Sequence, residues 1–173
     1  MPTTPAPILT ADSITRIGAE AKGAVVVNGS HGGLYAAYLA AKLGVAAAIF
    51  NDAGGGRDHA GIAGLDYLAG LGIPAAAVGH LTARIGDGAD MIARGVVTHA
   101  NTLATRLGCG VGTACREAAA ALQLVNPVMR EPPPALESAF LLIAEPPAVW
   151  ALDSASAVGP EHVGTIVDRK SVV

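Results

Sequence analysis

Ala24-Val25-Val26-Val27-Asn28-Gly29-Ser30-His31-Gly32-Gly33 decides the fold class of this chain. A short, β-branched apolar run enters a glycine-rich turn that carries a serine and a histidine, and a helical pattern starts at Leu34. Those residues in that order predict a buried strand, a tight turn and a helix N-terminus. Two further apolar runs end in the same way, at Asn51-Asp52 and at Gly79-His80.

Leu34 to Leu43 reads as a helix, with Leu34/Tyr38 and Leu39/Leu43 as i,i+4 pairs and Gly44 as its stop. Val45 to Phe50 reads as a second strand and Ala75 to Val78 as a third, with a helix from about Ala60 to Leu71 between them. Asp87 can cap a helix whose first turn holds Asp90, and the helical pattern runs on, bent at Gly95, to Leu107. Thr113 can cap another helix, to about Leu124, which makes 87–124 an added helical segment. Residues 1–9 read as a loose arm and 125–135 as a proline-rich connector, and apolar runs follow near 139–144 and 148–152. The β-α-β-α-β order over 24–80 predicts a single α/β domain, 1–173. Its sheet is mostly parallel with flanking helices, a Rossmann-like three-layer arrangement. Right-handed crossovers then bring all three βα loops to one edge.

A short internal repeat runs through the chain. Asp12-Ser13 is followed by Gly18, Glu20, Gly23, Val25 and Val26. Asp153-Ser154 is followed in the same register by Gly159, Glu161, Gly164, Ile166 and Val167. The repeat predicts either that a strand at 164–168 mirrors the strand at 24–28 or that the tail is a remnant of a duplicated unit.

Composition narrows the function classes. Of 173 residues, 51% are hydrophobic and 14% charged, against about 25% charged in an average protein. So apolar a surface predicts a homo-oligomer, using the alanine-rich helix faces or the termini. The stretch Gly23 to Ala41 has no charged residue, but it holds Asn28, Ser30, His31 and four glycines, which suits a βα unit rather than a membrane span. Met-Pro-Thr-Thr-Pro shows neither a basic region nor an apolar core of a signal peptide, and the expected location is cytoplasmic. Three lysines, 3% aromatics and a net charge of −3 argue against a nucleic-acid partner. Cys109 and Cys115 have no zinc or redox spacing and read as two reduced, packed thiols.

In open α/β sheets ligands bind beyond the carboxyl ends of the strands. Those ends hold Asn28, Ser30, His31, Asp52, Arg57, Asp58, His59, His80, Arg84 and Asp87. His31 is expected as general acid or base, with Asp52 as its orienting carboxylate. The two strand ends would lie about 5 Å apart if neighbours. Ser30 would need His80 or His59 as its base, because adjacent residues in extended chain point apart. Its alternative is a cap on the following helix. Gly29, Gly32 and Gly33 would let backbone approach a ligand, and Arg57 and Arg84 would clamp a carboxylate. The alternatives are a tight turn, an Asx-turn at Asp52, and surface ion pairs of the arginines with Asp58 and Asp87. The glycine spacing is neither the dinucleotide fingerprint nor a Walker loop, and His31, His59, His80 and Asp52 have no fixed metal-ligand spacing, so no cofactor and no metal are expected.

Asn28-Gly29-Ser30-His31-Gly32-Gly33 is similar to the Asn-Gly-His-Gly-Gly of creatininase-type amidohydrolases, with Ser30 inserted and without that family's other metal-ligand motifs. His31-Gly32 at one strand end, followed by Asp52-Ala53-Gly54 at the next, resembles the caspase-like proteases, in which a cysteine nucleophile stands where Gly54 stands here. No catalytic residue is carried over from either. The residues predict a small-molecule enzyme of hydrolase or lyase type acting on a compact anionic, carboxylate-like substrate. The alternative is a non-catalytic small-ligand-binding or regulatory module on the same scaffold.

Overall fold

A computed structural model describes residues 5–125, 139–152 and 158–169. The chain falls into two compact units, Met1–Pro132 and Pro133–Val173.

The first unit is mixed α/β. Five strands lie side by side in chain order: β1 (Ile8–Ala11), β2 (Val25–His31), β3 (Ala47–Asn51), β4 (Ala75–Val78) and β5 (Val97–Ala100). The first four are parallel and β5 is antiparallel to β4. Side chains alternate along the strands and fill two hydrophobic clusters. Val26, Ala48, Phe50, Ala75 and Ala77 pack with Ala36, Ala37 and Ala40 of α1 (Leu34–Lys42) and with Leu65 and Leu68 of α2 (Gly64–Gly70). Val25, Val27, Ile49, Ala76 and Val78 pack instead with Met91 of α3 (Gly88–Arg94), Ala104 of α4 (Thr102–Arg106), and Ala118, Ala119 and Leu122 of α5 (Cys115–Leu122). Strands buried on both sides read as continuous apolar runs, which is why 24–27, 47–50 and 75–78 carry no polar residue. The order of the described strands in this unit contains no reversal, so among the described residues there is none of the switch points at which doubly wound sheets open a crevice.

Four expectations are corrected. The stretch expected as a loose arm is tied down in its described part. Ile8 and Leu9 pair with Val25 and Val26, and the Ala6 N–H donates to Gln123 O at 3.1 Å while Gln123 Nε2 donates back to Ala6 O at 2.6 Å. The segment 87–124 is not helical throughout. Gly95 ends α3, and Val96-Val97-Thr98-His99 turns back along β4, because β-branched residues fit a pleated surface better than a helix. Thr113 caps nothing: α5 starts after Ala114 with no side-chain cap. The alanines at 36, 37, 40 and 41 of α1 are already buried within the unit, so little of that helix face is left for a subunit contact. Both cysteines are free and buried, as expected. Burial pushes the Cys109 thiol up to about 11; burial, with Cys109 beside it, pushes Cys115 up to about 12.

The second unit holds a three-stranded sheet in the order β6 (Ala139–Ile143), β7 (Val149–Leu152), β8 (Ile166–Arg169), with β6 and β7 antiparallel and β7 and β8 parallel. Here the internal repeat is visible as structure. Ile8 pairs with Val25 as Val149 pairs with Ile166, at the same separation along the chain. A 3-10 turn at Ala19–Ala21 corresponds to one at Pro160–His162, each opened by a glycine, Gly18 and Gly159. Gly23 and Gly164 share a left-handed conformation, with φ of 72° and 78°. The N–H of Val25 donates to Pro7 O at 2.8 Å, and that of Ile166 to Ala148 O at 2.8 Å. Residues 153–157, where the repeat's Asp-Ser pair falls, and most of the connector 125–135 lie outside the described residues.

Candidate functional site

Parallel pairing of β2, β3 and β4 brings His31, Asp52 and His80 to one edge of the sheet, since His31 is in register with Asn51 and Asn51 with Val78. Asp52 stays on the β4 side: its N–H donates to Val78 O at 2.8 Å, continuing the ladder one residue past β3. The carboxylate is buried and accepts four hydrogen bonds, each 2.9 Å long. Oδ1 accepts from Gly54 N, His80 N and His80 Nδ1, and Oδ2 from Thr98 Oγ1. Burial works to raise the pKa of this group. The bonds from Gly54, from the His80 backbone and ring, and from Thr98 outweigh it and hold the carboxyl below the usual aspartate value. A carboxylate only accepts, so His80 Nδ1 carries a proton, and in the neutral ring the lone pair then sits on Nε2. The His80 side chain is 46% exposed, against 8% for Asp52.

The histidine that Asp52 orients is therefore His80, where the sequence pointed to His31. Adjacency of β2 and β3 is real, but both carboxylate oxygens are claimed from the β4–β5 side. Thr98, which completes the shell, was not among the expected site residues because 87–124 read as helix. The signal that could have found it is the β-branched run Val96-Val97-Thr98 directly after Gly95. Gly79 makes room for it: a Cβ there would stand 2.8 Å from Thr98 Cγ2.

The other expected residues lie as follows. His31 Nδ1 accepts from Gly33 N at 3.1 Å, and the residue is exposed. Ser30 does not cap α1, whose N-cap is Gly33 without a side-chain bond. Its Oγ accepts from Ile14 N at 3.0 Å and lies 3.3 Å from Ser13 Oγ, so it fastens β2 to the turn after β1. Asn28 is fully buried and stands in for ladder bonds where β2 and β3 slip register. Its Nδ2 donates to Ile49 O at 3.2 Å and its Oδ1 accepts from Ser30 N at 3.2 Å. At Gly29, Gly32 and Gly33 the close approach is made by the chain itself. A Cβ on Gly29 would stand 2.5 Å from Asp87 N, one on Gly32 3.1 Å from Gly61 O, and one on Gly33 2.9 Å from Ala60 O. Arg57 pairs with Asp58 at 3.5 Å, with both side chains about four-fifths exposed. Arg84 lies 4.0 Å from Asp87, and its N–H donates to Asp90 Oδ2 at 2.8 Å.

The loop after β3 is held in an uncommon backbone state. Ala53, Gly54, Gly55 and Gly56 all have positive φ, as do Asp58 and His59 at 53° and 59°. Glycine tolerates this and the non-glycine residues do so at a cost of order 1–3 kcal/mol each. The loop folds back because Gly54 N bonds Asp52 Oδ1 and Gly55 N bonds Asp52 O. Gly54 thereby lies against the exposed ring: a Cβ on it would be 3.4 Å from His80 Cε1 and 3.6 Å from Nε2. No set of three or more His, Cys, Asp or Glu among the described residues is placed to hold a metal ion. No described helix is long and apolar enough to cross a membrane.

The chain matches no protein-family model, no curated protein and no solved structure.

Proposed function

We propose that this protein is a small-molecule enzyme of hydrolase or lyase type, with His80 as its general base and Asp52 as the residue that orients it. The observation that carries the reading is the Asp52–His80 pair. A buried carboxylate with a full set of hydrogen bonds fixes one tautomer of a half-exposed imidazole and leaves Nε2 free to take a proton from water or from substrate. Ser30 is engaged with Ile14 and Ser13, so the reading favours proton abstraction or water activation over a serine nucleophile. The substrate is a compact anion. Arg57 and Arg84, exposed on loops at the same sheet edge, supply the positive charge, and the bare Gly54 supplies room beside Nε2. The scaffold reads as Rossmann-like and three-layered, supported by the two hydrophobic clusters that the strands fill with alternate residues.

The test is a turnover screen on small carboxylate-bearing esters, amides and β-substituted acids. A hit is expected to lose about 100-fold or more in kcat in His80→Ala, and to show a raised KM in Arg57→Ala and Arg84→Ala. Turnover that is indifferent to His80→Ala contradicts the proposal. Binding without turnover would identify the non-catalytic module instead.

A further inference from the structure

An open cavity of about 330 Å³ lies beside β5 on the α2 side, lined by His59, Ile62, Leu65, Asp66 and His99 among others. That is the lower end of the range for small-ligand pockets, and its make-up is of the same kind, apolar walls with a few polar groups. The His80 reading does not use it, and of its lining residues the sequence expectations named only His59.

The polarity of the cavity follows from the hydrogen bonds of Thr98. Its hydroxyl has one proton, and the shortest acceptor it meets is Asp52 Oδ2 at 2.9 Å, ahead of Ala77 O at 3.3 Å. The Thr98 oxygen is then free to accept, and His99 Nδ1 lies 3.1 Å away. His99 therefore carries its proton on Nδ1 and offers a lone pair at Nε2. A second lining residue, Asp66, is a carboxylate and only accepts. Asn101, which also lines the cavity, spends its amide elsewhere: Nδ2 donates to Leu65 O and Ile73 O, and Oδ1 accepts from Ala104 N. His99 and Asp66 thus give the lining two acceptors, an imidazole nitrogen and a carboxylate, beside apolar walls from Ile62 and Leu65. His59 closes one side from the left-handed backbone conformation noted above.

We infer that this cavity binds a small organic ammonium ion, its short apolar chain against Ile62 and Leu65 and its N–H donors shared by His99 Nε2 and the Asp66 carboxylate. The site stands apart from the proposed chemistry at His80. It is joined to it through the bonds His99–Thr98–Asp52–His80, so occupancy is expected to be felt at the His80 ring.

The experiment titrates the full chain with n-butylammonium chloride, and in parallel with sodium butyrate and n-butanol, while recording the histidine ring nitrogens by NMR. No turnover is needed, so failure here leaves the His80 proposal standing, and the reverse. Butylammonium is expected to give saturable shifts at His99 Nε2, with butyrate giving none. Asp66→Asn, a change on the exposed face of α2, is expected to weaken binding roughly tenfold, the loss of one hydrogen bond to a charged group. His99→Gln is expected to remove the coupled shift at His80. Three results overturn the inference: butyrate seated at His99, butylammonium binding unchanged in Asp66→Asn, or no saturable response at His99 to any of the three probes.

Discussion

Asp52 accepts at both oxygens, and the four donors reach it from three separate places: its own loop, the end of β4 and the middle of β5. A charge held this way is stabilised in the folded state, which makes it a contributor to stability with a definite sign. Its folded pKa is below the unfolded one. The contribution is therefore present above the unfolded value and is lost as pH falls through the folded one. Asp52→Asn is expected to lower stability at neutral pH and to flatten the acid limb of the melting-temperature profile; an unchanged acid limb contradicts this. Thr98 acts through Asp52 and is a positioning residue. Thr98→Val is expected to lower kcat on any His80-dependent substrate with KM little changed, and Thr98→Ser to restore it. A purely structural role would lower the melting temperature in Thr98→Val without separating kcat from KM.

At the scale of elements, the unit is tied together by buried asparagines. Asn101 caps α4 through Ala104 N at 3.0 Å and satisfies the carbonyls of Leu65 and Ile73 at 3.2 and 3.0 Å, linking β5, α2 and the turn before β4. Asn101→Ala removes a cap and strands two carbonyls, and is expected to cost about 3 kcal/mol in denaturant unfolding. Gly64 plays a different part, since a Cβ there would stand 2.5 Å from Ala37 Cβ and 2.6 Å from Gly33 O, where α1 and α2 meet. Gly64→Ala is expected to cost about 1–3 kcal/mol by overpacking. Gly33→Val is expected to destabilise the turn before α1, because a Cβ there would stand 2.7 Å from His31 Nδ1 and 2.9 Å from Ala60 O. The helix α1 and the strands β2, β3 and β4 were legible because apolar runs bounded by glycine carry their own signal. β5 was not. Its four residues sit between helical patterns, and its pairing with β4 is a tertiary fact that local periodicity does not encode. The site shared that limit. The sequence brought Asp52 and His80 to the right edge, but which histidine Asp52 chose depended on Thr98 and on the ladder bond to Val78.

For the whole molecule, exposed apolar side chains remain at the surface, among them Leu81, Ile85, Val111 and Leu124 in the first unit. With 14% charged residues, they support the proposal of a homo-oligomer, which light scattering at tens of micromolar checks directly; a 17.1 kDa species contradicts it. The repeat gives the second unit a structural meaning. A strand, a glycine-opened 3-10 turn, a left-handed glycine and a parallel strand recur with the same register, so the resemblance seen in the residues is one of local folding. Gly164→Val is expected to destabilise the second unit as Gly23→Val destabilises the start of the first, because both need positive φ. Hydrogen exchange across β8 and β2 reads the two effects separately.

The proposed chemistry rests on the state of one imidazole. Long-range proton–nitrogen NMR of the His80 ring at neutral pH measures it directly. Expected are a proton on Nδ1, an unprotonated Nε2, and loss of that preference in Asp52→Asn. A ring protonated on Nε2, or one whose tautomer is the same with and without the Asp52 carboxylate, would contradict it.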